Sequence, residues 1–137
     1  MRNKRAPIVL GCVGLLLGLG AFAYRDLALR GRGIQNEMIL RSLSTGVEMY
    51  RGSYEVDPSS LFQMSSNKFG DERTTEWVRQ TLVLAHSNVW NDVYSYGPLS
   101  NGFRLTITGP DVPPLGWFGR LRRVERDYLP GQAMQPQ

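Results

Sequence analysis

One histidine, one cysteine and twelve carboxylates are the groups in this 137-residue chain best suited to chemistry. His86 could act as a general acid or base, which requires a substrate or nucleophile within hydrogen-bond reach. It stands alone just after a helical stretch and reads as a surface or capping residue. Glu48, Glu55 and Asp57 are close enough in sequence for paired-carboxylate work, but as charges at a helix end and in the loop behind it they read as solvated. Ser59-Ser60 and Ser65-Ser66 have no base that the spacing assigns to them. No His/Cys/Asp/Glu cluster has metal-ligand spacing. Gly11, Gly14, Gly18 and Gly20 fall within an apolar run and do not form a phosphate loop. Trp90, Tyr94 and Tyr96 could stack on a ligand, yet their shared parity fits sheet packing. The expectation is a chain that is not an enzyme, holds no cofactor or metal and takes no small-molecule substrate.

The first element that any function must reckon with is at the N-terminus. Met1-Arg-Asn-Lys-Arg5 is a basic head, and Ala6 to Tyr24 contains no charged residue. Nineteen helical residues rise about 28 Å, close to the hydrocarbon thickness of a bilayer. The span therefore reads as a single membrane anchor, with a secretory signal cleaved after Ala21-Phe22-Ala23 as the alternative. Val9-Leu10-Gly11-Cys12 has the look of a lipoprotein signal, but twelve more apolar residues follow Cys12. The cysteine fits better as a small, soft residue on a membrane helix. Gly14-Leu-Leu-Leu-Gly18 is a small-xxx-small spacing that lets two helix backbones approach closely, which marks Gly14 and Gly18 as candidate membrane-helix contacts.

The formal net charge of +4 is unevenly spread. Residues 1–33 carry six basic and one acidic side chain, residues 34–111 six basic and nine acidic, and residues 112–137 four basic and two acidic. The basic character belongs to the membrane flanks and the tail, which suits anionic headgroups. The mildly acidic middle lacks the basic, aromatic-studded stripe of a nucleic-acid binder. Arg2, Lys4 and Arg5 precede the span and Arg25, Arg30 and Arg32 follow it, so charge leaves the orientation open. The soluble part has no cysteine and hence no disulfide.

Beyond the anchor, Arg30-Gly-Arg-Gly33 predicts a weak point or kink. Ile39, Leu43, Val47 and Tyr50 then recur at helical spacing, a stripe that should end near Gly52. Asp57-Pro58 opens a loop, and residues 59–73 read as irregular. Thr74-Thr75-Glu76 can cap a second helix with Trp77, Val78, Leu82 and Ala85 on one side. Residues 89–96 read as a strand, 97–102 as a turn, and Phe103, Leu105 and Ile107 alternate with Arg104, Thr106 and Thr108 as a half-buried strand. The fold class is α+β: a transmembrane helix continuing into an amphipathic helix packed on a small antiparallel sheet. The expected core is Leu43, Val47, Tyr50, Trp90, Tyr94, Phe103 and Leu105. The divisions are residues 1–24 for head and anchor, 25–111 for the folded domain and 112–137 for a basic tail. In that tail Trp117, Phe118 and Leu121 should fold back over the sheet edge, the alternative being an anionic membrane or acidic partner, with disorder from Pro130.

Three blocks resemble the type II secretion pseudopilins. Arg41-Ser-Leu-Ser-Thr-Gly-Val-Glu-Met-Tyr-Arg51, with Tyr54 and Pro58, is similar to the end of their long helix. Trp90-Asn-Asp-Val-Tyr94-Ser-Tyr96 is similar to their Trp-Gly-Asn-Pro-Tyr-x-Tyr strand. Asn101-Gly-Phe-Arg-Leu-Thr-Ile-Thr-Gly-Pro-Asp111 resembles their closing strand. The blocks run in the family's order over residues 1–111 and imply a pilin-like domain, a bacterial inner-membrane location with the domain on the periplasmic side, and partners among other pseudopilin-like subunits or a second copy. The leader departs from the pattern. Ala6-Pro7 stands where the family is cleaved after glycine, and Gly11 where it has a glutamate, so the leader should stay attached. The family's calcium site, which follows the closing Gly-x-Asp, is matched only by Asp111, too few oxygens for calcium. The expected function is a structural or accessory subunit of a type II secretion or type IV pilus-like assembly. The alternatives are a membrane-tethered interaction module that reuses such a domain and, in another class, a membrane-tethered enzyme.

Overall fold

A single helix, α1 (Arg5–Tyr54), runs through 50 residues without a break, about 75 Å at the usual rise. The computed structural model describes residues 5–113 and 115–129, so the basic head before Arg5 and the expected disorder from Pro130 lie outside the described residues. The helix continues through residues 30–33, where a weak point or kink was expected. Glycine in a helix interior costs about 1 kcal/mol relative to alanine, but Arg32, between Gly31 and Gly33, is buried and bonded to the sheet, and those bonds hold the helical backbone in place. The helix also runs past Gly52 to Tyr54. There the Tyr54 ring lies 4.7 Å from Tyr50 and its hydroxyl donates to the Lys68 carbonyl at 2.6 Å. Glu55 then adopts φ 57 and returns its N–H to the Arg51 carbonyl, closing the helix in the left-handed manner.

The segment expected to be irregular contains α2 (Leu61–Ser66), capped by Ser60, whose hydroxyl accepts from the Gln63 amide. Six residues are too few to display a helical period in sequence. The next helix, α3 (Glu72–His86), begins earlier than the Thr74–Glu76 cap allows, because Asp71 accepts the Thr74 amide at 2.6 Å. Its buried side is Thr75, Val78, Thr81 and Ala85; Trp77 lies off that side and is 37% exposed.

Three strands, β1 (Val93–Leu99), β2 (Gly102–Pro110) and β3 (Leu121–Tyr128), form an antiparallel meander with β2 in the centre. The expected turn at 97–102 shrinks to Ser100-Asn101, since Gly97, Pro98 and Leu99 pair with Arg104, Phe103 and Gly102. Pro98 is tolerated because β1 is an edge strand. Gly102 packs so closely on the Tyr128 carbonyl that no Cβ fits there.

The expected tail is corrected by β3. Residues 121–128 pair with β2 from Pro110↔Leu121 to Phe103↔Tyr128, so the folded unit continues well past Asp111. Five of these eight residues are charged, which hides the alternation. On the outer face Arg104 pairs with its cross-strand neighbour Asp127 at 2.5 Å, and on the inner face Arg126 reaches Glu37 of α1. Trp117, Phe118 and Leu121 do not fold back over the sheet; all three are exposed.

Between sheet and helices lies one apolar core. Leu43, Val47 and Tyr50 of α1 share it with Phe103, Leu105, Ile107 and Tyr128, and with Met64, Phe69 and Val78 from the helical side. Tyr94 is half-buried against it. Trp90 is a correction to the expected core: it sits half-buried in the turn before β1, its N–H held by the Asn88 side chain, and belongs to no part of this cluster.

Candidate functional site

From Pro7 to Tyr24 every side chain of α1 is exposed, and this stretch is apolar enough and long enough to cross a bilayer. Gly14 and Gly18, one helical turn apart, have no atom near enough to touch an added Cβ. They leave a shallow strip on which a second helix backbone can lie close. Among the described residues nothing covers it.

The domain is fastened to the stem of this helix by two arginines. Arg25 and Arg32 are seven residues apart and therefore share one helix face. Arg32 Nε donates to Asp92 Oδ2 at 3.0 Å, its Nη2 bonds Asp92 Oδ1, and its Nη1 donates to the Pro110 carbonyl at 2.5 Å. Both side chains of the Arg32–Asp92 pair are sealed from solvent, at 2% and 0% exposure. Asp92 is positioned by Asn88, whose Oδ1 accepts the Asp92 amide at 2.9 Å while its Nδ2 donates to the Asp92 carbonyl at 2.6 Å. Gly109 lies against the pair so tightly that a Cβ would strike Asp92 Oδ1 and come within 2.8 Å of Arg32 Nη2.

Lower on the helix, Arg25 donates to the Val112 carbonyl at 2.7 Å and lies 3.6 Å from Asp111. Burial resists ionisation of Asp111, yet the Val112 amide, Arg25 and Arg120 outweigh it and hold the carboxyl below its ordinary value. The carboxylate after the closing glycine thus has arginines for partners. Further up, Glu37 accepts from Arg126 at 2.7 and 2.6 Å. Those bonds hold its carboxyl down against burial, with Arg41 assisting. Tyr94 donates to Asn36 Oδ1 at 2.7 Å, and burial pushes its hydroxyl up, aided by the Asp92 charge.

Among the described residues, the side chains with the chemistry of a catalyst do not form one hydrogen-bonded set. A hollow of about 750 Å³ between α2, α3 and the foot of β1 has Ser65, His86 and Asp92 in its walls. No hydrogen bond joins them: Ser65 donates to the Phe62 carbonyl, and Asp92 is occupied by Arg32. Arg51 stands between Glu48, at 3.7 Å, and Asp57, at 2.5 Å, so the neighbouring carboxylates share a cation. Ser59 bonds Gln63 and Ser66 the Gln63 carbonyl, as local caps do. Among the described residues no three His, Cys, Asp or Glu side chains converge on a metal-sized site. Sequence reasoning missed Arg25, Arg32, Asp92, Glu37 and Arg126; the one available signal was the seven-residue spacing of two arginines on a helix that otherwise buries apolar residues. No family model matches this chain, and no curated protein or solved structure matches it.

Proposed function

We propose that this chain is a pilin-like, non-catalytic subunit or accessory of a type II secretion or type IV pilus-like assembly. It is held by one pass through a bacterial inner membrane with its domain on the periplasmic side. One observation carries the reading: a bare apolar helix passes without interruption into the spine of a small antiparallel sheet. Arg25 and Arg32 clamp the sheet to that spine immediately beyond the apolar run. Such a rod acts by lateral association. Its partners are other pseudopilin-like subunits or a second copy, met through Gly14 and Gly18; neither nucleic acid nor a small molecule is needed.

In-membrane cross-linking of the full chain tests this. Gly14→Ile and Gly18→Ile add bulk where nothing in the chain is displaced, so the protein should insert normally and lose its partner cross-links. Cross-links that survive both changes would move the association to the soluble domain. A genetic neighbourhood with a secretion ATPase and a prepilin peptidase would support the secretion reading. Pro7 and Gly11 favour a second reading, a tethered interaction module that keeps its leader and never enters a filament. The absence of that genetic neighbourhood favours the module, while intact mass of membrane-extracted protein tests the leader: a chain beginning at Met1 or Arg2 retains it, and one beginning at Pro7 has been processed.

A further inference from the structure

The end of the sheet nearest the apolar span carries an aromatic and basic surface that neither core nor clamp uses. Between β2 and β3 the chain forms a short 3₁₀ turn, Leu115–Phe118. Trp117 is 77% exposed, Phe118 85% and Leu121, just beyond, 66%. The loop that holds them out is built. The Asp111 amide donates to the Arg120 carbonyl at 2.8 Å, and Gly116 packs on the Asp111 carbonyl too closely for any Cβ. Gly119 closes the turn at φ 74. Around it Arg120, Arg122 and Arg123 stand with the clamp residue Arg25 and with Asp111 at a hollow of about 420 Å³, and Arg123 also pairs with Glu125 at 2.5 Å on the outer face of β3. Arg120 and Arg123 remain mostly exposed.

The height of this loop is set by Arg25, the first charged residue after the uncharged run. Arg25 bonds Val112 and Asp111, at the root of the loop, so the loop lies at the level where α1 leaves the hydrocarbon. The headgroup layer there is about 5–7 Å deep. Aromatic side chains with arginines beside them are the composition that settles at this boundary, rings among the acyl carbons and guanidinium groups on phosphates.

We infer that the 115–123 loop is a second membrane contact, in which Trp117 and Phe118 enter the leaflet from which α1 emerges and Arg120, Arg122 and Arg123 bind its anionic lipid headgroups. Two contacts fix tilt and rotation where one helix fixes neither. The domain is therefore presented to its neighbours in one orientation, with the Ser100-Asn101 hairpin tip facing away from the membrane. The inference rests on residues 7–24 lying in the bilayer and is independent of the pilin-like assignment.

The test uses the full chain with Cys12→Ala and a single spin-labelled cysteine, introduced as Phe118→Cys, Ser100→Cys or Leu16→Cys. Each protein is reconstituted in phosphatidylcholine vesicles with and without phosphatidylglycerol. With phosphatidylglycerol, the label at 118 should lose contact with a water-soluble nickel relaxant and gain contact with oxygen, the label at 100 should stay aqueous, and the label at 16 should be deep. Changing Arg120, Arg122 and Arg123 to Gln should lower the docked-to-free ratio at 118 roughly fivefold per arginine. A label at 118 as aqueous as that at 100, with 16 still deep, overturns the inference and leaves the surface to an acidic protein partner. Equal insertion in both lipids overturns the role of the arginines. A label at 16 in water overturns the anchor itself, a separate failure visible in a separate label.

Discussion

Arg32 and Asp92, sixty residues apart in the chain, meet as a two-point ion pair with water excluded from both side chains. Removing two charges from water is expensive, and their mutual attraction offsets the cost only when every remaining donor and acceptor is placed. Here the third arginine nitrogen finds the Pro110 carbonyl, and Asn88 anchors the backbone of Asp92. The pair ties Asp92 and the Pro110 end of β2 to one position on α1.

Breaking one partner leaves the other charge buried and alone. Asp92→Asn should therefore cost about 3–5 kcal/mol, read from urea unfolding of the full chain in detergent micelles. Replacing both residues by apolar ones, Arg32→Met with Asp92→Leu, should recover most of that loss. An Asp92→Asn protein that unfolds at the wild-type midpoint would remove the pair from any structural role.

Gly109 and Gly97 make a matched comparison within one sheet. A methyl at 109 collides with Asp92 and Arg32, whereas one at 97 meets nothing within 4 Å. Gly109→Ala should lower the unfolding midpoint sharply and Gly97→Ala should leave it within about 0.5 kcal/mol of wild type. Equal effects of the two would show that the clamp has room to spare.

The helix stripe can be tested in the same way. Leu43 is 1% exposed in the core and Met38, on the opposite side of α1, is 65% exposed. Leu43→Ala should cost about 2–5 kcal/mol, and Met38→Ala little. The reverse order would mean that α1 turns its other face to the sheet.

Acid should loosen the domain through Glu37. Its carboxyl is held below the ordinary value by Arg126, so the folded state binds a proton less readily than the unfolded chain. The stabilisation is then complete above the unfolded carboxylate value, about 4.3, and is lost as pH falls through the lower folded one. Asp111 acts in the same direction. Unfolding midpoints followed downward from pH 6 should drop below about pH 4, and Glu37→Gln should flatten part of that drop. A slope unchanged by Glu37→Gln would assign the acid sensitivity to other groups.

Some of this molecule is legible residue by residue. The apolar run from Ala6 to Tyr24 and the alternation of β2 are local signals, written in neighbouring residues, and they were enough for a membrane-length helix, a strand and an α+β class. Elements whose signal is not local were hidden. Arg122, Arg123, Glu125, Arg126 and Asp127 make β3 look like a solvated tail, because an arginine facing a helix is tolerable only when a carboxylate such as Glu37 waits there, and no neighbour in sequence announces that. The glycines around Arg32 suggested a weak point or kink by propensity alone, yet the helix continues through them where Arg32 bonds groups sixty and seventy-eight residues away. Sequence by itself determined which run is apolar and long enough to cross a membrane and which stripes must be buried, since both follow from hydrophobic transfer and helical or strand period. Only the tertiary structure decided which charges are paired, where the sheet stops along α1 and which aromatics stay outside, because those depend on partners that close in space after the chain has folded.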